Sequence, residues 1–121
     1  MKWFVALAIA LVPTEALAAT WKEVARSTDS LTIIWVDKDS IKHGKNSSFA
    51  WWRMKMSDGD FSTTLSAFNC NAKGVMDLQM VIYKTNGETM NLNSRLKGEW
   101  SFASPDSLLE GLADAVCGER W

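Results

Sequence analysis

From residue 21 onward, apolar and polar residues alternate with a period of two, and only near the C-terminus does the spacing become that of a helix. In the stretch 49–56, Ala50, Trp52, Met54 and Met56 fall on one side, with Phe49, Trp51, Arg53 and Lys55 on the other. That alternation is what a pleated strand produces. Leu31, Ile33 and Trp35 likewise oppose Ile34 and Val36 in a strand predicted over 31–37, and shorter runs predict strands at 21–26 and 89–96. The stretch 62–70 alternates Ser and Thr with apolar residues and should pair back on the strand before it. In 75–83, Met76, Leu78, Met80 and Ile82 make an apolar face opposite Asp77 and Gln79. Turn residues separate these runs: Gly44, Lys45 and Asn46, then Ser57-Asp58-Gly59-Asp60, then Asn71 to Gly74. Asn86-Gly87 reads as a two-residue hairpin turn, because both residues tolerate positive φ.

The period changes after residue 103. Ser104 is the expected N-cap and Pro105 fits the first helical position, where its missing N–H costs nothing. Leu108, Leu109, Leu112, Ala115 and Val116 then recur at helical spacing, and Gly118 follows as a stop. A helix this short needs tertiary support to hold. The expected architecture is therefore α+β: one antiparallel sheet of about five to six strands with one C-terminal helix packed on one face, in a single domain over 19–121.

The first residues read differently. Met1-Lys2 gives a positive start, 3–12 is an unbroken apolar run, and Pro13 ends it before Ala16-Leu17-Ala18. This is the pattern of a secretory signal over 1–18, cut between Ala18 and Ala19. The apolar run is well short of the roughly 20 residues that span a bilayer, and no later run is longer, so the mature chain is expected without a membrane span. Export changes the meaning of the two cysteines. Cys70 ends a strand-like run and Cys117 falls in the last turn of the predicted helix, and in an oxidising compartment the simplest reading is a disulfide that staples helix to sheet. A metal site would want more ligands than the single His43 can add, and a redox pair would normally read C-x-x-C.

Removing the leader takes away Lys2 and Glu15 and leaves the formal charge at −1. Without a basic excess to neutralise phosphates, no nucleic-acid role is expected. Catalysis has equally little to stand on: there is no G-x-S-x-G, no free thiol, no glycine-rich phosphate loop and no implied cofactor. Asp37, Asp39, Asp58 and Asp60 stand among Gly, Ser and Lys and read as solvated turns, and His43 as a solvated side chain in a polar turn. The chain holds seven tryptophans, of which Trp3 lies in the leader. Trp35, Trp52 and Trp100 are expected in the core. Trp51 must point away from Trp52, so that Phe49, Trp51, Arg53 and Lys55 form the candidate partner surface on the side the helix leaves free.

Several spaced features together resemble the surface-adhesin E-like family of Gram-negative bacteria. They are Trp21 near the mature start, Val36-Asp37-x-x-Ser40-Ile41, Trp52, Phe68-Asn69-Cys70, Asn86-Gly87-Glu88, and Trp100 followed by Ser104-Pro105-x-Ser107 and Cys117. Asn69 stands where the family usually has an acid, and the stretch 45–51 carries an extra tryptophan. The resemblance implies a sheet of about six antiparallel strands with the helix held on its concave face by the disulfide. It also implies binding of host extracellular-matrix and plasma proteins, with a homodimer as an expected assembly; with no catalytic motif, the chain is expected not to be an enzyme. Two readings follow: an adhesin-type module on the outer surface that holds a host protein, or a periplasmic accessory or stress-related domain that binds an envelope partner or a small molecule. Both are exported, and fold alone does not choose between them.

Overall fold

The computed structural model describes residues 20–118, so the predicted leader and its cut between Ala18 and Ala19 lie outside the described residues. The period-two runs become strands β1 (Trp21–Arg26), β2 (Ile33–Asp37), β4 (Ser48–Lys55), β5 (Phe61–Asn69) and β6 (Gly74–Tyr83), joined by the short β3 (Lys42–His43), β7 (Thr89–Asn91) and β8 (Ser101–Phe102). All pair antiparallel in one sheet, in the order β1-β2-β4-β5-β6-β7, with β3 beside β4 and β8 beside β6. The α+β architecture is as expected from the sequence. The strand count is slightly higher because β3 and β8, two residues each, are too short to leave a period.

One face of this sheet carries the helix α1 (Leu108–Gly118). Ile34 and Val36 from β2, Ala50 and Trp52 from β4, and Phe68 from β5 pack against Leu112, Ala113 and Val116 of α1 to form the buried core. The approach is close: a Cβ on Gly111 would stand 3.2 Å from the Cβ of Ala25 in β1. Cys70 and Cys117 are bonded, and Lys73 reaches from the β5–β6 turn to both Glu110 (2.9 Å) and Asp114 (3.2 Å) on α1. The two acids sit four residues apart and so on one side of the helix. The helix is thus clamped at the end of the sheet where β5 meets β6.

Local departures from the alternation have identifiable causes. Leu31 is 50 % exposed and precedes the strand, because Ser27 pairs with Thr32 around a turn in which Ser30 takes φ 63°. The predicted strand 89–96 stops at Asn91: the Asn93 side chain takes the Met80 N–H, and the chain turns into a 3-10 turn at Asn93–Arg95. In β6 the pairing skips Leu78, since Leu65 faces Gln79 and Ser66 faces Asp77. That bulge divides the predicted apolar face. Val75 and Asp77 come to lie on the helix side, opposite Phe68 and Ser66, while Met76 goes to the other.

The helix start is also displaced. Ser107, not Ser104, is the cap: its Oγ accepts the Glu110 N–H at 3.1 Å while the Glu110 carboxylate reaches back to the Asp106 N–H at 2.8 Å. Ser104 and Pro105 form the turn before it, with the Ser107 N–H on the Ser104 carbonyl. Asn86-Gly87 belongs to a three-residue hairpin loop rather than a two-residue one. Lys84 pairs with Glu88, and only Gly87 takes positive φ (93°), as Gly59 (95°) does in the matching loop between Met56 and Asp60. Of the expected core tryptophans, Trp52 is buried, Trp100 is half-buried against Gly74, and Trp35 is half-buried on the opposite face of the sheet.

Candidate partner surface on the open face of the sheet

Because side chains alternate along β4, burying Ala50, Trp52 and Met54 under α1 sends Phe49, Trp51, Arg53 and Lys55 to the other face. Among the described residues, no second layer of helix or sheet packs on that face. The structure therefore places all four sequence-predicted residues side by side on it. Phe49 is 37 % exposed, and the other three are half-buried. Trp51 stands opposite Leu65 of β5, with its backbone N–H donated to the Ser40 hydroxyl at 2.9 Å.

Register brings further rings to the same face. Trp35 is opposite Arg53, Arg53 opposite Thr63, and Phe61 opposite both Lys55 and Tyr83. The Arg53 guanidinium lies 4.5 Å from the centre of the Trp21 ring, and its Nε donates to the Thr63 hydroxyl at 3.3 Å. Trp35 and Phe61 stack with centroids 6.2 Å apart and planes 20° apart. The result is a row of rings across β1, β2, β5 and β6 with one fixed guanidinium in it. A hollow of about 190 Å³ opens between Trp21, Trp35, Arg53 and Phe61, and a second of about 340 Å³ between Arg53, Phe61 and Tyr83. Sequence reasoning missed Trp21, Trp35, Phe61 and Tyr83, since each sits on a different strand and only the pairing register reveals that they align.

The residues of the sequence signature do other work. The Asp37 carboxylate accepts the N–H groups of Thr20 and Asp39, and the Ser40 hydroxyl donates to the Asp37 carbonyl, closing the corner after β2. Asn69 accepts the Asn71 and Ala72 N–H groups at 3.1 and 3.2 Å, an acceptor role its amide oxygen fills as a carboxylate would. Asn86 accepts the Glu88 N–H in the late hairpin. These three are backbone corners and so report architecture, whereas Trp21 of the same signature lies on the open face.

One polar reading needs correction. Asp60 is no solvated turn residue: it is only 7 % exposed and accepts from the Thr85 N–H (3.0 Å) and the Lys84 ammonium (3.3 Å), tying the two hairpin loops together. The Thr85 N–H first, and Lys84 with it, hold its carboxyl below the ordinary aspartate value, against burial, which pushes it up. His43 is exposed but engaged, its Nδ1 2.7 Å from the buried Ser48 hydroxyl beside the disulfide. Among the described residues, no three His, Cys, Asp or Glu side chains are gathered to hold a metal ion, and no helix is long and apolar enough to cross a membrane.

No curated protein and no solved structure matches the chain significantly. The family described as surface-adhesin protein E, however, matches residues 21–118, which takes in every strand described above, α1 and both cysteines, and the chain belongs to that family.

Proposed function

We propose that this chain is an exported, non-enzymatic binding module that holds a host extracellular protein on the open face of its sheet. The observation that carries the reading is the row of rings around Arg53, with Phe49, Trp51 and Lys55 continuing it along β4. Aromatic residues and arginine are the types most enriched at the energetic centres of protein interfaces. Arg53 and Lys55 favour a partner that presents acidic side chains among apolar ones, since opposed charges steer encounter and suppress wrong pairings. The adhesin family supports a binding role, and an exported location goes with it.

The test has two steps. Protease shaving of intact cells, with a periplasmic marker as control, should digest this protein while the marker survives. Immobilised extracellular-matrix extract should then retain the purified protein, and Trp51→Ala combined with Arg53→Ala should weaken retention by about tenfold or more, the loss typical of central aromatic and arginine anchors. Survival in intact cells with release in the periplasmic fraction would instead assign the protein to an envelope partner. Retention unchanged by the double substitution would remove the open face as the site.

A further inference from the structure

On the helix side, at the edge of the sheet away from β1, lies a hollow of about 310 Å³ that the partner surface does not use. Its walls are the Trp52 ring, Val75 and Leu109, with Leu96 from the segment that crosses between β7 and β8. The volume falls at the lower end of the range that holds small molecules. Its polar groups are ordered in an unusual way. The Trp52 indole N–H donates to the Ser66 hydroxyl at 2.8 Å, and that hydroxyl donates to Asp77 Oδ1 at 2.8 Å. Trp52 and Ser66 are both more than nine-tenths buried, so the chain of bonds fixes the Asp77 carboxylate from below. Among the described residues, Asp77 has no ion pair and no second hydrogen bond, although it lines the hollow.

Arg95, Lys97 and Glu99 line the same hollow, and none of them forms an ion pair among the described residues. With Asp77, the site carries two cations and two carboxylates. A ligand of a single charge sign would be repelled by half of these groups, whereas one that carries both signs meets a partner for each. From this placement we propose that the hollow binds a small zwitterion with an apolar side chain, of the α-amino acid type. Its ammonium sits on Asp77, its carboxylate lies towards Arg95 and Lys97, and its side chain rests against Trp52, Leu96 and Leu109. This site is separate from the open face, so binding here and partner binding there stand or fall independently.

The experiment titrates L-phenylalanine into the purified, 15N-labelled protein and follows the tryptophan indole N–H signals. Phenethylamine, which lacks the carboxylate, and 3-phenylpropanoate, which lacks the ammonium, serve as comparisons. The expected result is a saturable shift of the Trp52 signal and an affinity for L-phenylalanine about tenfold or more above either single-charge compound, the scale of one charge-assisted hydrogen bond. Asp77→Asn keeps an acceptor for Ser66 and should abolish the preference over 3-phenylpropanoate. Arg95→Ala with Lys97→Ala, on the exposed rim, should reduce L-phenylalanine to the level of phenethylamine, and it carries the test if the Asp77 variant does not fold. No saturable shift by about 10 mM, where binding would be weaker than useful recognition, overturns the proposal. So does equal affinity for the three compounds, or L-phenylalanine binding that both sets of substitutions leave unchanged.

Discussion

The two faces of the sheet are made by the same strands yet differ in kind, and neighbouring residues show how. Trp52 is 6 % exposed, its ring in the core and its N–H satisfied by Ser66. Trp51, one residue earlier, is half-buried on a face where no second layer of helix or sheet packs among the described residues. Composition does not separate them. What separates them is which face α1 packs on: the helix buries Ile34, Val36, Ala50 and Phe68 beside Trp52, and the Cys70–Cys117 bond and the Lys73 bridges to Glu110 and Asp114 hold it there. A large aromatic is a core element under the helix and a candidate contact on the other side.

The sharpest break of this comparison is to truncate the two rings separately. Trp52→Ala should cost about 3–5 kcal/mol of stability, since it opens a cavity in the core and strands the Ser66 hydroxyl. Trp51→Ala should cost less than about 1.5 kcal/mol, in keeping with a partly exposed side chain, while taking most of the partner binding. Urea unfolding of both variants, alongside retention on the immobilised matrix extract, checks the pair. Equal losses of stability would mean that the faces do not differ as described.

Next in size is the clamp that holds the helix on its face. Replacing Cys70 and Cys117 together by serine should cost about 2–4 kcal/mol, because the closed loop spans 47 residues and its closure no longer restrains the unfolded chain. Hydrogen exchange should then quicken throughout and most in α1, since the helix keeps Lys73 and its apolar stripe but loses its covalent tie. Equal quickening in sheet and helix would show that the bond acts on the unfolded chain alone and adds no local hold on the helix.

Much of this was legible beforehand, and most of the misses share a cause. The alternation in β4, the hairpin order and the helix–sheet staple follow from local periods and from two cysteines. The row of Trp21, Trp35, Phe61 and Tyr83 was not legible, because register between strands is a tertiary property. The Leu78 bulge escaped for the same reason: 75–83 alternates well enough locally, and only its pairing with β5 places Asp77 beneath the hollow. The helix cap was within reach. Ser107 stands three residues before Glu110, the spacing of a capping box, whereas the appeal of Pro105 at a first helical position drew the start three residues too early.

A smaller effect tests the far end of β5, where Asp60 precedes the strand as Cys70 follows it. Its carboxyl is held below the ordinary aspartate value, so its contribution is complete above about pH 4 and is lost as pH falls further, through its folded value. Asp60→Asn should therefore lower the melting temperature at pH 7, and the gap between variant and wild type should narrow as pH falls below about 4. Glu110, lowered chiefly by Lys73 and then by the Asp106 N–H, titrates in the same direction and keeps some acid sensitivity in the variant. A constant gap between the two melting curves at every pH would mean that Asp60 acts through packing, not charge.

The smallest effect has the opposite sign and lies within the helix face itself. Ser62, Thr64 and Ser66 alternate along β5 on that face, all nearly or fully buried. The Ser66 hydroxyl both accepts and donates, linking Trp52 to Asp77, whereas the hydroxyls of Ser62 and Thr64 have no partner among the described residues. A buried hydroxyl without a partner costs on the order of 1 kcal/mol or more. Thr64→Val keeps the shape and the strand preference while removing that cost, so it should stabilise the protein by about 1 kcal/mol and raise the melting temperature by a few degrees. Calorimetric scans of the variant and wild type measure it directly. A fall in stability instead would show that the Thr64 hydroxyl is satisfied in solution, as a buried water would do, and that it is no net cost to the fold.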